Sequence, residues 1–191
     1  QALADERVSR VIASTRHPIM SHSKLENVVI DFSDMPAHAA WWSVDGVVSA
    51  LGTTRTTTRS PSAYRTIDFE YPLAIARHVR EHGATRFALT ASLGGDPHSP
   101  FAYTRTKGEL EVELTKLGLV SLTIVRPSVL DGHREKRRID ERITTIFLKT
   151  LAIVLPRKMQ VSRASVVAGS LITGAVEAPP GVHVRTNVDM G

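Results

Sequence analysis

Cysteine is absent from this 191-residue chain. That excludes disulfides, thiolate nucleophiles and cysteine-held metals. Aromatic residues make up 5% of the sequence, too few to interleave into a stacking surface for single strands, so no specific nucleic-acid partner is expected. No stretch reaches 18 apolar residues and no charged-then-apolar leader opens the chain, so no membrane span is expected. With the missing thiols, this reads as a cytoplasmic protein. One further motif is missing: a Gly-x-Gly-x-x-Gly turn between a strand and a helix. Gly94-Gly95 follow a late strand and lead into Asp96-Pro97 instead.

What is present is an ordinary globular composition, 42% hydrophobic and 23% charged, at a length that suits one domain spanning residues 1–191. The net charge is +5, carried by 18 arginines and only 6 lysines. The planar guanidinium fork suits phosphate groups, so a phosphate-bearing ligand is compatible, as is a plain basic surface. Short, nearly continuous apolar runs at 10–16, 27–31, 45–51, 85–91, 119–125 and 182–185 read as strands buried on both faces. Helical patterns lie between them at 62–82, stopped by Gly83, and at 102–117, stopped by Gly118, with more at 140–155 and 164–177. Residues 1–8 read as the tail of a helix. Alternation of this kind predicts a doubly wound, mostly parallel α/β sheet of Rossmann type.

The chemistry-bearing pattern is Tyr103-Thr-Arg-Thr-Lys107, with Ser92 eleven residues upstream at the end of an apolar run. Four residues along a helix put two side chains on one face. A lysine ammonium beside a phenol favours the phenolate, which makes a tyrosine usable for proton transfer. A serine hydroxyl from a neighbouring strand could then hold the oxygen of a carbonyl or alcohol. Ser92, Tyr103 and Lys107 are the candidate catalytic residues.

Other patterns compete. His78-Val-Arg-Glu-His82 matches an inverted zinc-protease motif, but it falls in the last helical turn, where histidines meet the helix dipole favourably; no metal site is expected. Thr90-Ala-Ser92-Leu-Gly94 approaches a hydrolase elbow, with His133, Asp131 and Asp140 downstream, yet lacks the first glycine and an immediate helix. The basic stretch 133–142 reads as a solvated loop by the active-site mouth, with a docking patch as the alternative. Residues 147–155 read as core or an oligomer contact, so a monomer or homodimer is expected.

Several stretches in order along the chain carry a family resemblance: Val11-Ile-Ala-Ser-Thr-Arg-His-Pro18, Val29-Ile-Asp-Phe32, Ala50-Leu-Gly-Thr-Thr54, Tyr71-Pro72, Ala91-Ser-Leu-Gly-Gly-Asp-Pro97, Tyr103-Thr-Arg-Thr-Lys-Gly-Glu109 and Arg126-Pro-Ser128. Together they resemble the atypical short-chain dehydrogenase/reductases, in particular the Tat-interacting tumour-suppressor-like oxidoreductases. The resemblance implies an NADP-dependent (NADPH) oxidoreductase of a small carbonyl or alcohol, with Ser92, Tyr103 and Lys107 at the reacting centre. An NADPH-binding regulatory or scaffold protein of the same fold, with little turnover, is the alternative.

By the same resemblance Thr15 and Arg16 would meet the 2′-phosphate, the arginine implying NADP over NAD. Asp31 and Phe32 would border the adenine. Leu51, Gly52 and Thr53 form a small-residue turn along the cofactor, and Tyr103 and Lys107 would also touch it. Pro127, Ser128 and Val129 would border the nicotinamide, and the region 129–160 the substrate. The family carries a glycine-rich turn on its first strand. Its lack here implies that a strand, turn and half-helix of roughly 20 to 25 residues is missing from the chain. Where extended relatives often place a relay asparagine, this sequence has Asp68, which puts turnover in question. Gly95 replaces an alanine common in relatives, a change expected to matter little.

Overall fold

The computed structural model describes residues 1–53, 58, 60–128, 130–131 and 162–190. Strands β1 (Val11–Thr15) and β2 (Leu25–Val29) form one parallel pair. Strands β3 (Gly46–Ser49), β4 (Arg86–Thr90), β5 (Ser121–Arg126) and β8 (Gly181–Thr186) form a four-stranded parallel sheet in the order β3-β4-β5-β8. A short parallel pair, β6 (Leu130–Asp131) with β7 (Ser162–Arg163), sits past the end of β5. The expected α/β architecture is the one observed.

Helices cover both faces of the larger sheet, and alternation along each strand decides what they touch. Phe87 and Leu89 of β4 and Leu122 and Ile124 of β5 point one way. They pack on α2 (Tyr71–Glu81) through Leu73, Ala76 and Val79, and on α3 (Ala102–Lys116) through Leu110 and Leu114. Ala88 and Val125, one residue out of phase, face the opposite layer with Val167, Leu171 and Ala175 of α4 (Ala164–Val176). Two-sided burial is why these strands read as unbroken apolar runs.

Three expectations need correction. Residues 2–4 form a single 3-10 turn rather than a helix tail. The second strand, Leu25–Val29, lies two residues earlier than the expected 27–31. Its register is set by the Asn27 amide, which donates to the Ala13 carbonyl (2.9 Å) and to Thr15 Oγ1 (2.7 Å) on β1. The helix expected at 62–82 is present but not regular: α1 (Pro61–Arg65) passes through a π-helical turn at Thr66–Glu70 before continuing as α2. Ser60 caps its start, Oγ accepting from the Ala63 N–H at 3.1 Å, and Gly83 ends it at φ 96°, where an L side chain is strained. The helix expected at 140–155 and the basic stretch 133–142 lie outside the described residues.

Candidate functional site

All strands of the main sheet end on one side, and that carboxyl edge is where open α/β sheets bind ligands. A cavity of about 220 Å³ opens there among the exits of β3, β4 and β5. Its walls bring together Leu51, Thr53, Ser92, Tyr103, Lys107, Pro127 and Ser128, seven of the residues expected at the site, with Gly52 alongside. Thr90 was not among the residues expected to line the site. It closes the wall at the end of β4, with Oγ1 buried and, among the described residues, without a hydrogen-bond partner.

Each side chain arrives on a rigid element. Ser92 follows β4, and its segment is held beside β5 by Ala91 N donating to Val125 O (2.8 Å) and Leu93 N to Pro127 O (2.9 Å). Among the described residues its own hydroxyl makes one long contact, donating to the Leu93 carbonyl at 3.3 Å. Tyr103 and Lys107 stand four residues apart on α3, as the spacing requires. Tyr103 is 38% exposed, with its ring 6.2 Å from that of Tyr64, while Lys107 is 6% exposed. The tyrosine is therefore accessible from solvent and the lysine is not. Past Ser92, Gly94 turns at φ 80° and α3 starts only at Ala102. No helix springs directly from the serine, so the geometry is not that of a hydrolase elbow.

Lys107 does not stand alone. Its Nζ lies 2.7 Å from Asp68 Oδ1, and both groups are nearly inaccessible to solvent. The other carboxylate oxygen, Oδ2, accepts the Thr53 N–H at 2.8 Å. A Cβ on Gly52 would sit 3.2 Å from Asp68 Oδ1 and 3.5 Å from Lys107 Nζ, so the absent side chain is what lets this turn lie over the pair. Sequence position marked Asp68 as a departure from relatives, but nothing in the sequence placed its carboxylate in contact with Lys107.

Two further sets of contacts fix the β5 exit. Arg126 pairs with Glu111 of α3, its Nε donating to Oε1 at 3.1 Å; this hydrogen bond raises the guanidinium pKa still further. Beyond it, Ser128 N donates to Ser162 Oγ (3.1 Å) and Asn187 Nδ2 donates to Ser128 Oγ (2.9 Å). Ser162 and Asn187 carry no motif and were not legible as site-supporting residues. Val129 lies outside the described residues.

The remaining candidates lie outside the cavity, at or just past the ends of β1 and β2, the separate parallel pair. Thr15 ends β1 with Oγ1 donating to the His17 carbonyl (2.8 Å). Arg16 follows, exposed and without an ion pair among the described residues. Asp31 accepts from the Ser33 hydroxyl and backbone N–H, which hold its carboxyl below the usual range. Phe32 is buried, with its ring 5.8 Å from that of Tyr71. The two histidines of the zinc-like motif are otherwise engaged. His78 stacks on Trp42 at 5.1 Å, and His82 Nδ1 lies 2.8 Å from the His78 carbonyl.

A nicotinamide nucleotide can be tested against this lining. The unpartnered Thr90 hydroxyl, the Ser92 hydroxyl with its one long contact and the bare Gly52 backbone offer polar groups and close approach, which fits a nicotinamide-ribose end. No glycine-rich turn for the pyrophosphate occurs among the described residues.

Comparison with known proteins bears first on the fold. The structure resembles MoeE5 in complex with UDP-glucuronic acid and NAD, with a TM-score of 0.69 at 15% identity over 92% of this chain and 67% of that one. It also resembles a putative NAD-dependent epimerase/dehydratase from Bacillus halodurans, with a TM-score of 0.56 at 23% identity over 70% of this chain and 66% of that one. A third is a 3-oxoacyl (acyl-carrier-protein) reductase from Agrobacterium tumefaciens with NADP bound, with a TM-score of 0.59 at 16% identity over 84% and 73%. The fold is thus the Rossmann-type α/β fold of the epimerase/dehydratase and reductase enzymes.

No family model matches the chain. Among curated proteins it is similar to the mitochondrial protein fmp52 of Emericella nidulans, 37% identical over 107 residues that cover 56% of this chain and 46% of that protein. The mitochondrial FMP52 of Candida albicans is 38% identical over 94 residues, 49% of this chain and 41% of that protein. The chain spans about half the length of the curated relatives it matches or less. Their names overturn the expectation of a cytoplasmic protein. Missing cysteines speak to redox conditions rather than to an address, and nothing about the compartment follows from where this sequence starts.

Proposed function

We propose that this protein is an NAD(P)-dependent oxidoreductase that interconverts a small carbonyl compound and its alcohol, on the atypical branch that resembles the Tat-interacting tumour-suppressor-like enzymes. The observation that carries the reading is the convergence of Ser92, Tyr103 and Lys107 on one cavity at the carboxyl edge of the sheet. When bound, the nicotinamide would supply a hydride equivalent to the carbonyl carbon. Ser92 holds the carbonyl oxygen by donating its hydroxyl proton, which it otherwise gives only to a 3.3 Å contact. Tyr103, at the solvent-facing mouth, gives its proton to that oxygen and regains one from water. Lys107 is the residue that would hold the ribose hydroxyls. Arg16 favours NADP, because an exposed guanidinium with no acidic partner among the described residues can take a phosphate bidentately.

One observation favours the alternative of a nucleotide-binding regulatory protein with little turnover: Lys107 is already engaged by a carboxylate. Titration of the full-length protein with NADPH and NADH by fluorescence, followed by a panel of carbonyl substrates, decides between them. Binding with turnover supports the oxidoreductase. Binding without turnover on any carbonyl supports the regulatory protein, and no binding of either nucleotide refutes both.

A further inference from the structure

We infer that Asp68 is a positioning residue of this site: its buried carboxylate ties the exit of β3 to Lys107 and fixes where the ammonium stands. The inference rests on the oxidoreductase reading above.

Three elements meet at this one side chain. Asp68 is 0% exposed, in the middle of the π-helical turn Thr66–Glu70. Its buried neighbours along the same helix are Tyr64, four residues before it, and Pro72 and Leu73, four and five residues after it. Pro72 has no N–H to give to the Asp68 carbonyl, and its ring would crowd that carbonyl in a regular helix, which accounts for the wide turn at this point. Such turns recur at functional sites. Oδ2 accepts the Thr53 N–H of the β3 exit, and Oδ1 faces Lys107 Nζ of α3.

The choice of a carboxylate follows from what it must satisfy. An ionised carboxylate only accepts, so it can serve the amide N–H and the ammonium together. An asparagine of the same shape offers one acceptor oxygen. It would present its NH₂ either to the Thr53 N–H or to the ammonium, donor against donor. Burial makes the countercharge necessary as well, because an unpaired ammonium in this position is strongly disfavoured. Among the described residues the acids of α3 are paired elsewhere, Glu109 with Arg65, Glu111 with Arg126 and Glu113 with Lys116, and Asp68 is the only acid in ion-pair contact with Lys107. Asp68 therefore acts on the reacting centre through Lys107, without touching substrate.

The test uses full-length protein in four forms: unmodified, Asp68→Asn, Lys107→Met and the two substitutions combined. A slowly exchanging lysine side-chain ammonium resonance is expected in the unmodified protein and should be lost in both single variants. This readout needs neither cofactor nor substrate. Its absence from the unmodified protein overturns the clamp, even if activity is found. On a substrate identified by the carbonyl panel, Asp68→Asn should lower kcat by about 10²-fold, the effect of displacing a reacting group by about 1 Å. Substrate KM should change little.

In the Lys107→Met background the same substitution should lower kcat no further, because the group it positions is gone. A thermal melt controls for folding; the double variant removes both charges and should melt above Asp68→Asn. An equal loss in both backgrounds, or unchanged kcat in Asp68→Asn, overturns the inference. If the unmodified protein binds no nicotinamide nucleotide, the oxidoreductase reading fails, while the ammonium signal still decides the clamp.

Discussion

Gly108 follows Lys107 directly, and the structure makes a quantitative claim about it. A Cβ built there would lie 2.3 Å from Pro97 N, 2.4 Å from Asp96 C and 2.6 Å from Asp96 N, all backbone atoms of the loop that leads from Ser92 into α3. An ordinary contact begins at 3.4 Å, so Gly108→Ala must push helix and loop apart by about 1 Å, the difference of 3.4 and 2.3. Two effects oppose each other. Alanine gains about 1 kcal/mol over glycine in a helix interior, whereas overpacking against rigid neighbours costs about 1–3 kcal/mol. Backbone cannot rotate away as a flexible side chain would, so the clash should win, by up to about 2 kcal/mol. For a domain of this size that corresponds to a melting temperature lower by up to about 8 °C.

The same displacement separates the helix carrying Tyr103 and Lys107 from the segment carrying Ser92. A misplacement of about 1 Å between reacting groups can lower kcat by about 10²-fold. Thermal denaturation followed by calorimetry reads the first effect, and steady-state kinetics on the substrate found by screening reads the second. A variant that melts higher than the unmodified protein would refute the claimed contact between α3 and the 95–97 loop.

Tyr103→Phe should lower kcat by roughly 10²–10⁴-fold with nucleotide affinity within about threefold, since it removes one general acid and little packing; full activity in steady-state assays would move the function to the regulatory alternative. Arg16→Asp should shift preference from NADPH toward NADH in paired fluorescence titrations, and equal affinity of the unmodified protein for both would remove Arg16 from the phosphate site. Leu110→Ala, at 0% exposure between α3 and the sheet, should destabilise by about 2–5 kcal/mol in urea denaturation, and a change under 1 kcal/mol would mean that this layer is not close-packed.

How much of this was legible in the sequence depended on whether the signal was local. Strand and helix identity was, because Phe87, Ala88 and Leu89 are buried on alternate faces of a covered sheet and so form one apolar run. That Tyr103 and Lys107 share one side of α3 and line one cavity was local too, since it follows from a four-residue spacing on a helix. The start of β2 was not, because a cross-strand amide from Asn27 sets the register, and hydropathy does not record such bonds.

The same distinction explains what was misread at the site. Thr90 looks like the last residue of a strand, and only the cavity beside it gives its unpartnered hydroxyl a meaning. Ser162 and Asn187 reach Ser128 from 34 and 59 residues away. Asp68 is the most instructive case. On a regular helix its position is simply a polar residue on an otherwise apolar stripe, a mark against the helix being well packed. The 2.7 Å approach of Lys107 supplies the countercharge that makes burial tolerable. A local departure from regular helix, a buried acid and a buried base are each unfavourable alone. Joined in the wall of one cavity they compensate one another, and that mutual dependence is why we assign Asp68 to the positioning of Lys107 rather than to the core alone.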